Sequence, residues 1–224
     1  MGNLNSRGIS NILSNVIMFM VFISLSFICL QYGMMYLRNL ECGLRSDNAV
    51  DFLRYVRLEA DKLYFIDDSI MIFNPHYIIK LDDCCNITII VNDICLGNFK
   101  SSILSIQVYA SSPNIYYDQP IQLNGTCFSI YGHGDHIHLI PALSVYNLGS
   151  RIYLRLMVLK SSGIISGNFV LRVSDSFKSI YTFECAGQLK ISLISSNDHY
   201  STIITSSGPV ILVFEVISVD VMPI

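Results

Sequence analysis

The sequence predicts a mainly β protein with a long N-terminal α-helix, in which a transmembrane or assembly helix precedes an antiparallel β-sandwich-like head. Residues 8–37 contain no charged side chain, residues 47–63 place apolar side chains at helical spacing, and β-branched or aromatic runs separated by Gly, Pro, Asn and Ser follow. The chain is 52% hydrophobic and 14% charged, which is more apolar than a typical soluble domain.

The uncharged segment predicts a membrane helix. Between Arg7 and Arg38 lie 30 residues without a charged side chain. A helix that rises about 1.5 Å per residue needs roughly 20 apolar residues to cross a bilayer. A removable secretory signal fits less well, because signal peptidase requires small residues at its site and no alanine occurs before Ala49. We therefore expect the helix to stay in the mature protein.

The residues before this segment have the form of a processing motif. Arg7-Gly8 is followed by Ile9 and a long uncharged helix, which resembles the class III signal peptide of archaeal type IV pilins and archaellins. The resemblance implies a leader peptide of residues 1–8 that a prepilin peptidase removes between Gly8 and Ile9. It also implies that the remaining helix packs with copies of itself, or with related pilin subunits, in the core of a filament.

A polar stripe lies on the first two turns of this helix. Such side chains can hydrogen-bond between helices in an apolar medium, with a gain of about 0.6 to 2 kcal/mol per contact, which favours a helix with helical neighbours. The alternative is that they lie among lipid headgroups at the end of a single span. The stripe consists of Ser10, Asn11, Ser14 and Asn15.

An amphipathic continuation completes the predicted helical region, residues 9–63. Asp47 is a suitable N-cap for it, and the charged side chains of residues 51–61 fall on the faces away from the apolar stripe. We expect this stripe to pack against the head. It consists of Val50, Leu53, Val56, Ala60 and Leu63.

Residues 64–224 predict a β-rich head. The spacing of the runs predicts either one large sandwich or two subdomains, residues 64–148 and 149–224, with a boundary near Gly149. Within the run IQLNGTCFSIY, Asn124-Gly125 supplies the two positive φ angles of a type I′ turn. We therefore expect a β-hairpin at this point.

The head is predicted to be extracytoplasmic, on a single-pass protein of the cell membrane or on a cell-surface filament. Asn86 and Asn124 open N-x-Thr sequons, which are candidate glycosylation sites. One arginine before the span against two soon after it would nominally place the head inside. We favour the outside, because the low charge and the many Tyr, Ser and Asn residues resemble a surface protein.

The cysteines leave two interpretations open. In an oxidising compartment, Cys84 or Cys85 could form a disulfide with Cys95 or Cys127. The alternative is that these residues are buried thiols.

One stretch, YGHGDHIHLIP, carries candidate metal ligands. It places three imidazoles and a carboxylate within six residues, and His136 and His138 on a strand would project from the same face. Such a set could bind Zn²⁺ or Cu²⁺, whereas the two glycines favour a polar surface turn. The four candidate ligands are His133, Asp135, His136 and His138.

Several function classes are disfavoured by the sequence. A net charge of -3 and scattered Lys and Arg residues give no basic surface for nucleic acid. Neither a G-x-S-x-G elbow nor a phosphate-binding glycine loop is present, so we expect no enzyme and no cofactor. The favoured function is a structural or minor subunit of an archaeal type IV pilus-like filament, with the head outward for adhesion. The alternatives are a membrane-anchored binding protein and a membrane-tethered metalloprotein.

Overall fold

The computed structural model describes residues 4–63, 70–75, 77–108, 118–161, 163–184, 187–195 and 198–224. It confirms the predicted fold class, a long N-terminal helix followed by a head of β-strands. The chain divides into two compact units, Met1–Leu44 and Arg45–Ile224. The first unit is helical, and the second contains the end of the helix and all the strands.

Helix α1 extends over Leu4–Lys62 as one α-helix. It includes the last residues of the proposed leader and continues through Gly43 without a break. Its last part, from Arg45, belongs to the head, and the five residues of the amphipathic stripe, which ends at Leu63 just after the helix, are buried as predicted, at most 3% exposed. Leu58 lies on the opposite face and is 56% exposed. Burial of this stripe therefore makes the helix end a part of the head's core.

The head contains thirteen strands within the described residues. They are β1 (Ile70–Phe73), β2 (Ile79–Val91), β3 (Ile94–Gln107), β4 (Ile121–Leu123), β5 (Phe128–His133), β6 (His136–Pro141), β7 (Leu143–Asn147), β8 (Arg151–Lys160), β9 (Gly163–Ile165), β10 (Phe169–Phe183), β11 (Gly187–Ser195), β12 (Asp198–Ser206) and β13 (Val210–Pro223).

These strands form two sheets. Sheet A has the order β1-β10-β13-β8-β7-β4, and sheet B has the order β12-β11-β2-β3-β6-β5 with β9 added beside β2. The pairs β13–β8 and β4–β7 are parallel, whereas the other pairs are antiparallel. The head is therefore mostly antiparallel, with two parallel pairs that join segments distant in the sequence.

The long strands contribute side chains to two hydrophobic cores, which lie on opposite faces of sheet A. In β13, Phe214 and Val216 belong to one core, and Ile217 and Val219 belong to the core that contains the helix end. Since successive residues of a strand point to opposite faces, the two cores lie on opposite faces of sheet A. This explains the unbroken apolar run at the end of β8, where residues 156–159 are all buried.

The head does not divide at Gly149. Strands β7 and β8 pair directly across this position, and the N–H of Leu148 donates a hydrogen bond to the carbonyl of Arg151 at 2.8 Å. Gly149 has φ of +77°, a conformation that suits glycine. Both sheets contain strands from each side of this turn, so residues 64–148 and 149–224 are not separate subdomains.

The prediction of a β-hairpin at Asn124-Gly125 is wrong. Strand β4 belongs to sheet A and β5 to sheet B, so these residues carry the chain from one sheet to the other. The N–H of Asn124 donates to the carbonyl of Val145 at 2.8 Å. Positive φ angles at two successive residues occur instead at Asn92 (45°) and Asp93 (66°), in the turn between β2 and β3.

Candidate functional site

The largest apolar surface lies on the first unit. Every large apolar side chain of residues 13–44 is between 46% and 71% exposed in the chain alone. Among the described residues, one helix is long and apolar enough to cross a membrane, with a mean hydropathy of 2.3 over its best window. Water solvates such a surface poorly, so the surface is suited to contact with lipid or with other apolar helices.

The polar groups of this surface are few. The Ser24 hydroxyl donates to the carbonyl of Met20 at 2.9 Å, so this hydroxyl is satisfied inside its own helix. Ser14 and Asn15, from the predicted stripe, are exposed. The side chains of Ser10 and Asn11 lie outside the described residues.

The proposed processing motif lies at the start of α1. Arg7, Gly8 and Ile9 are helical in their backbone, and their side chains lie outside the described residues. The structure therefore leaves the proposed cut between Gly8 and Ile9 as a sequence-based prediction.

Polar contacts join the end of α1 to the strands of the head. The Arg57 guanidinium lies 2.5 Å from a carboxylate oxygen of Asp118, which also accepts a hydrogen bond from the N–H of Ile130 at 3.3 Å. Asp61 accepts a hydrogen bond from the N–H of Cys127 at 3.0 Å. Burial raises the pKa of Asp61, although the Cys127 hydrogen bond and the nearby Arg57 oppose this rise. Hydrogen bonds are directional, whereas apolar packing is not. These contacts therefore orient the helix end within the apolar core around it.

The predicted histidine cluster is a row of parallel rings on the hairpin of β5 and β6. The ring centroids of His136 and His138 are 6.0 Å apart with an interplanar angle of 10°, which confirms that both project from one face. Tyr131 stacks between His133, at 6.1 Å, and His138, at 6.2 Å. Gly134, with φ of +61°, forms the turn that brings the two strands together.

These rings do not converge on one point. The Nδ1 atom of His136 is 2.6 Å from the Asp135 carboxylate, and that of His138 is 2.7 Å from the Ser105 hydroxyl. Within the described part of the chain, no group of three or more His, Cys, Asp or Glu residues could hold a metal ion. Burial is the main cause that lowers the pKa of His138, and His136 lowers it further. The geometry favours a polar, aromatic surface over the predicted metal site.

The five cysteines whose side chains are described carry thiols in the structure. Cys85, Cys95 and Cys127 are not joined in disulfides, and the side chain of Cys84 lies outside the described residues. In the ladder of β2 and β3, Cys85 lies opposite Ser101 and Cys95 opposite Ile90. A separation of five residues is about 16 Å along a strand, which is too far for a disulfide between Cys85 and Cys95. The predicted pairings of Cys85 with Cys95 or Cys127 are therefore absent.

The two sequon asparagines are exposed. Asn86 lies on β2, opposite Lys100 of β3. Asn124 has φ of +54°, and Thr126 of the same sequon donates from its hydroxyl to the carbonyl of Phe128 at 2.9 Å. Both asparagines stay candidate glycosylation sites.

A groove that the sequence did not predict lies where the edges of the two sheets meet, at β4 and β12. Its larger part has a volume of about 540 Å³ and is lined by residues that include Gln119, Gln122, Tyr200 and Thr202. A smaller part of about 250 Å³ continues past Asn124. The lining residues come from segments more than 70 residues apart, so local periodicity carries no sign of the groove.

Comparisons with known proteins identify no family for this chain. No family model, curated protein or solved structure matches it.

Proposed function

We propose that this protein is a membrane-embedded surface subunit that assembles through its N-terminal helix and presents its β head outward, as in an archaeal type IV pilus-like filament. The observation that supports this function most is the double use of α1. The same unbroken helix supplies the exposed apolar surface of residues 13–44 and the buried stripe in the head's core.

The length of the apolar segment also favours assembly. A simple anchor requires roughly 20 apolar residues, whereas 30 successive uncharged residues precede Arg38 here. Helices in an apolar medium associate through close packing and hydrogen bonds between polar side chains. Ser14 and Asn15 are exposed on this surface and are available for such contacts. The head then supplies the outer surface for adhesion or contact, and no catalytic step is required.

Processing of the N-terminus tests this function. The full chain is co-expressed in a membrane with an archaeal prepilin peptidase, and the mass of the intact protein is measured. A chain that begins at Ile9 is the expected result. Gly8→Val should prevent cleavage, because the peptidase requires a small residue at this position by the pilin resemblance.

Gly33→Val is the matched control for this experiment. No atom lies within 4 Å of the position that a Cβ at Gly33 would occupy, so this substitution should leave cleavage unchanged. An intact Met1 in the native sequence would contradict pilin-type processing.

The second candidate function is a membrane-anchored binding protein whose helix stays monomeric. The groove between β4 and β12 favours it, because polar and aromatic side chains line a concave surface of the head. An uncleaved chain that is monomeric in lipid would support this function over the first.

A further inference from the structure

Strand β10 has an open edge over most of its length. Strand β1 pairs with β10 only at residues 169–172, whereas β13 pairs with it as far as Phe183. From residue 175 to residue 183, no other strand among the described residues pairs with β10. With respect to the described part of the chain, this edge has backbone N–H and C=O groups to which another strand can add.

The open edge is only partly protected against strand addition. A register shift between Val173 and Asp175 lies at its start, but residues 175–183 contain no proline, and Phe177 and Ile180 are 48% and 66% exposed. Edge lysines often protect a strand by projecting into solvent. The Lys178 side chain is 58% exposed and lies 3.6 Å from Glu215 of β13, which also contacts Arg155 of β8 at 3.3 Å. The edge is therefore mixed, with the charged Lys178 close to the exposed Phe177 and Ile180.

Alternate side chains of the edge are directed toward the second core. Phe177, Ser179 and Tyr181 lie opposite Val216, Phe214 and Leu212 of β13 and so face the second core. Phe177 packs edge-on against Phe214 at 6.3 Å but is still half-exposed. The Ser179 hydroxyl is buried and has no hydrogen-bond partner among the described residues. This hydroxyl is enclosed within the single chain, whereas Phe177 beside it is still accessible at the edge.

The residue order along the edge suits a second copy of the same chain. In an antiparallel pair centred on Ser179, each Phe177 lies opposite a Tyr181, and the two Ser179 residues lie opposite each other. Aromatic and hydroxyl cross-strand pairs of this kind are favourable. Each Lys178 lies opposite an Ile180, so no like charges meet. A pairing centred on Lys178 would place the two lysines opposite each other, which is unfavourable.

We propose that two copies of this protein pair through the open edge of β10, antiparallel about a two-fold axis at Ser179. Sheet A then continues from one head into the other. The two Ser179 residues lie opposite each other at the axis, and each Phe177 lies beside the Tyr181 of the other copy. This is an isologous contact, in which the same edge serves both copies. It is separate from the apolar surface of residues 13–44.

A cysteine at the axis tests the register. Ser179→Cys is introduced into the full chain in detergent micelles, and disulfide-linked dimers are measured after mild oxidation. The native chain reports any background from its own thiols. Residues opposite each other in antiparallel strands have Cα atoms about 4.5 to 5.5 Å apart, a distance that permits a disulfide. Ser179→Cys should therefore give dimers above the native background.

Thr182→Cys is the matched control, because Thr182 is exposed on the same strand. In the proposed register it lies opposite Ser176 of the other copy, and the two introduced thiols are about 20 Å apart. Thr182→Cys should give no dimers beyond background. Equal yields from the two variants would contradict the proposed register.

A charge pair at position 180 tests the contact without a covalent bond. Ile180 is 66% exposed, so neither Ile180→Lys nor Ile180→Glu should disturb the folded head. Ile180→Lys places two lysine pairs across the axis, and Ile180→Glu places two Glu–Lys pairs there. The dissociation constant of the dimer, measured by sedimentation in micelles, should be about tenfold higher for the lysine variant.

Equal dissociation constants for these two variants would refute the contact. A charge effect without Ser179→Cys dimers would overturn the two-fold axis at Ser179. Failure of either test is distinguishable from failure of the proposed function, because cleavage at Gly8 and association of the helix do not involve β10.

Discussion

Truncation of Leu53 should strongly destabilise the head, because this leucine comes from the helix but lies in the head's core. Leu53 is 0% exposed and packs in the core that contains Phe73 and Phe169. Leu→Ala at such a site removes apolar burial and leaves a cavity, at a cost of about 3 kcal/mol. This cost is a large fraction of the 5 to 15 kcal/mol that typically stabilises a folded domain.

Urea unfolding of the full chain in detergent micelles, followed by the circular dichroism of the β head, measures this cost. Leu53→Ala should lower the unfolding midpoint without changing the slope against urea concentration. Leu58→Ala is the control, because Leu58 is 56% exposed on the same helix and should change the unfolding free energy by no more than about 0.5 kcal/mol. Equal effects of the two variants would refute the assignment of the helix end to the head's core.

Three further predictions concern the head. Arg57→Ala should lower the unfolding free energy of the head by about 1 to 2 kcal/mol in the same urea assay, because it breaks the half-buried ion pair with Asp118. Arg54→Ala, which breaks the exposed pair with Asp51, is the control. An equal loss from both variants would contradict a stabilising role of the Arg57–Asp118 pair. Burial raises the pKa of Asp61, so the folded head binds more protons than the unfolded chain above the normal carboxyl range, and its stability falls as pH rises through this window. The unfolding free energy of Asp61→Asn minus that of the native chain should therefore increase from pH 3 to pH 7. A decrease would show that the nearby arginines outweigh burial. Asp93→Gly should raise the unfolding free energy by about 0.5 kcal/mol, and with it the urea midpoint, because Asp93 has φ of 66°. A lower midpoint would contradict the assigned turn.

The helix and its buried face could be predicted because the determining interactions are local. Val50, Leu53 and Val56 recur at a spacing that only a helix brings to one side, and all three are buried. The shared face of His136 and His138 was predictable for the same reason, because side chains two residues apart project from the same side of a strand.

Strand pairing could not be predicted from local pattern. Asn124-Gly125 has the residues of a hairpin turn, yet β4 pairs with β7 and β5 pairs with β6. The parallel pairing of β8 with β13 places Leu154 beside Phe214. Neither strand's sequence indicates the other as its partner. The sequence left both a metal site and a polar surface turn open for the histidines, and the regular spacing of the hairpin keeps their rings side by side. Register across strands, rather than composition, decides the geometry of such a site.

Association of the full chain in lipid vesicles tests the central claim most directly. Copies carrying a donor or an acceptor dye on the exposed Cys95 are mixed, and energy transfer is measured as lipid is added. Cys29, Cys42, Cys84 and Cys185 are replaced by Ser, and Cys85 and Cys127 are buried. If the helix joins copies to one another, energy transfer should persist on dilution and depend on the ratio of acceptor to donor. Ile180→Lys removes the contact through β10 and should leave this transfer in place. Transfer that falls to zero as lipid is added would show that the helix is only an anchor.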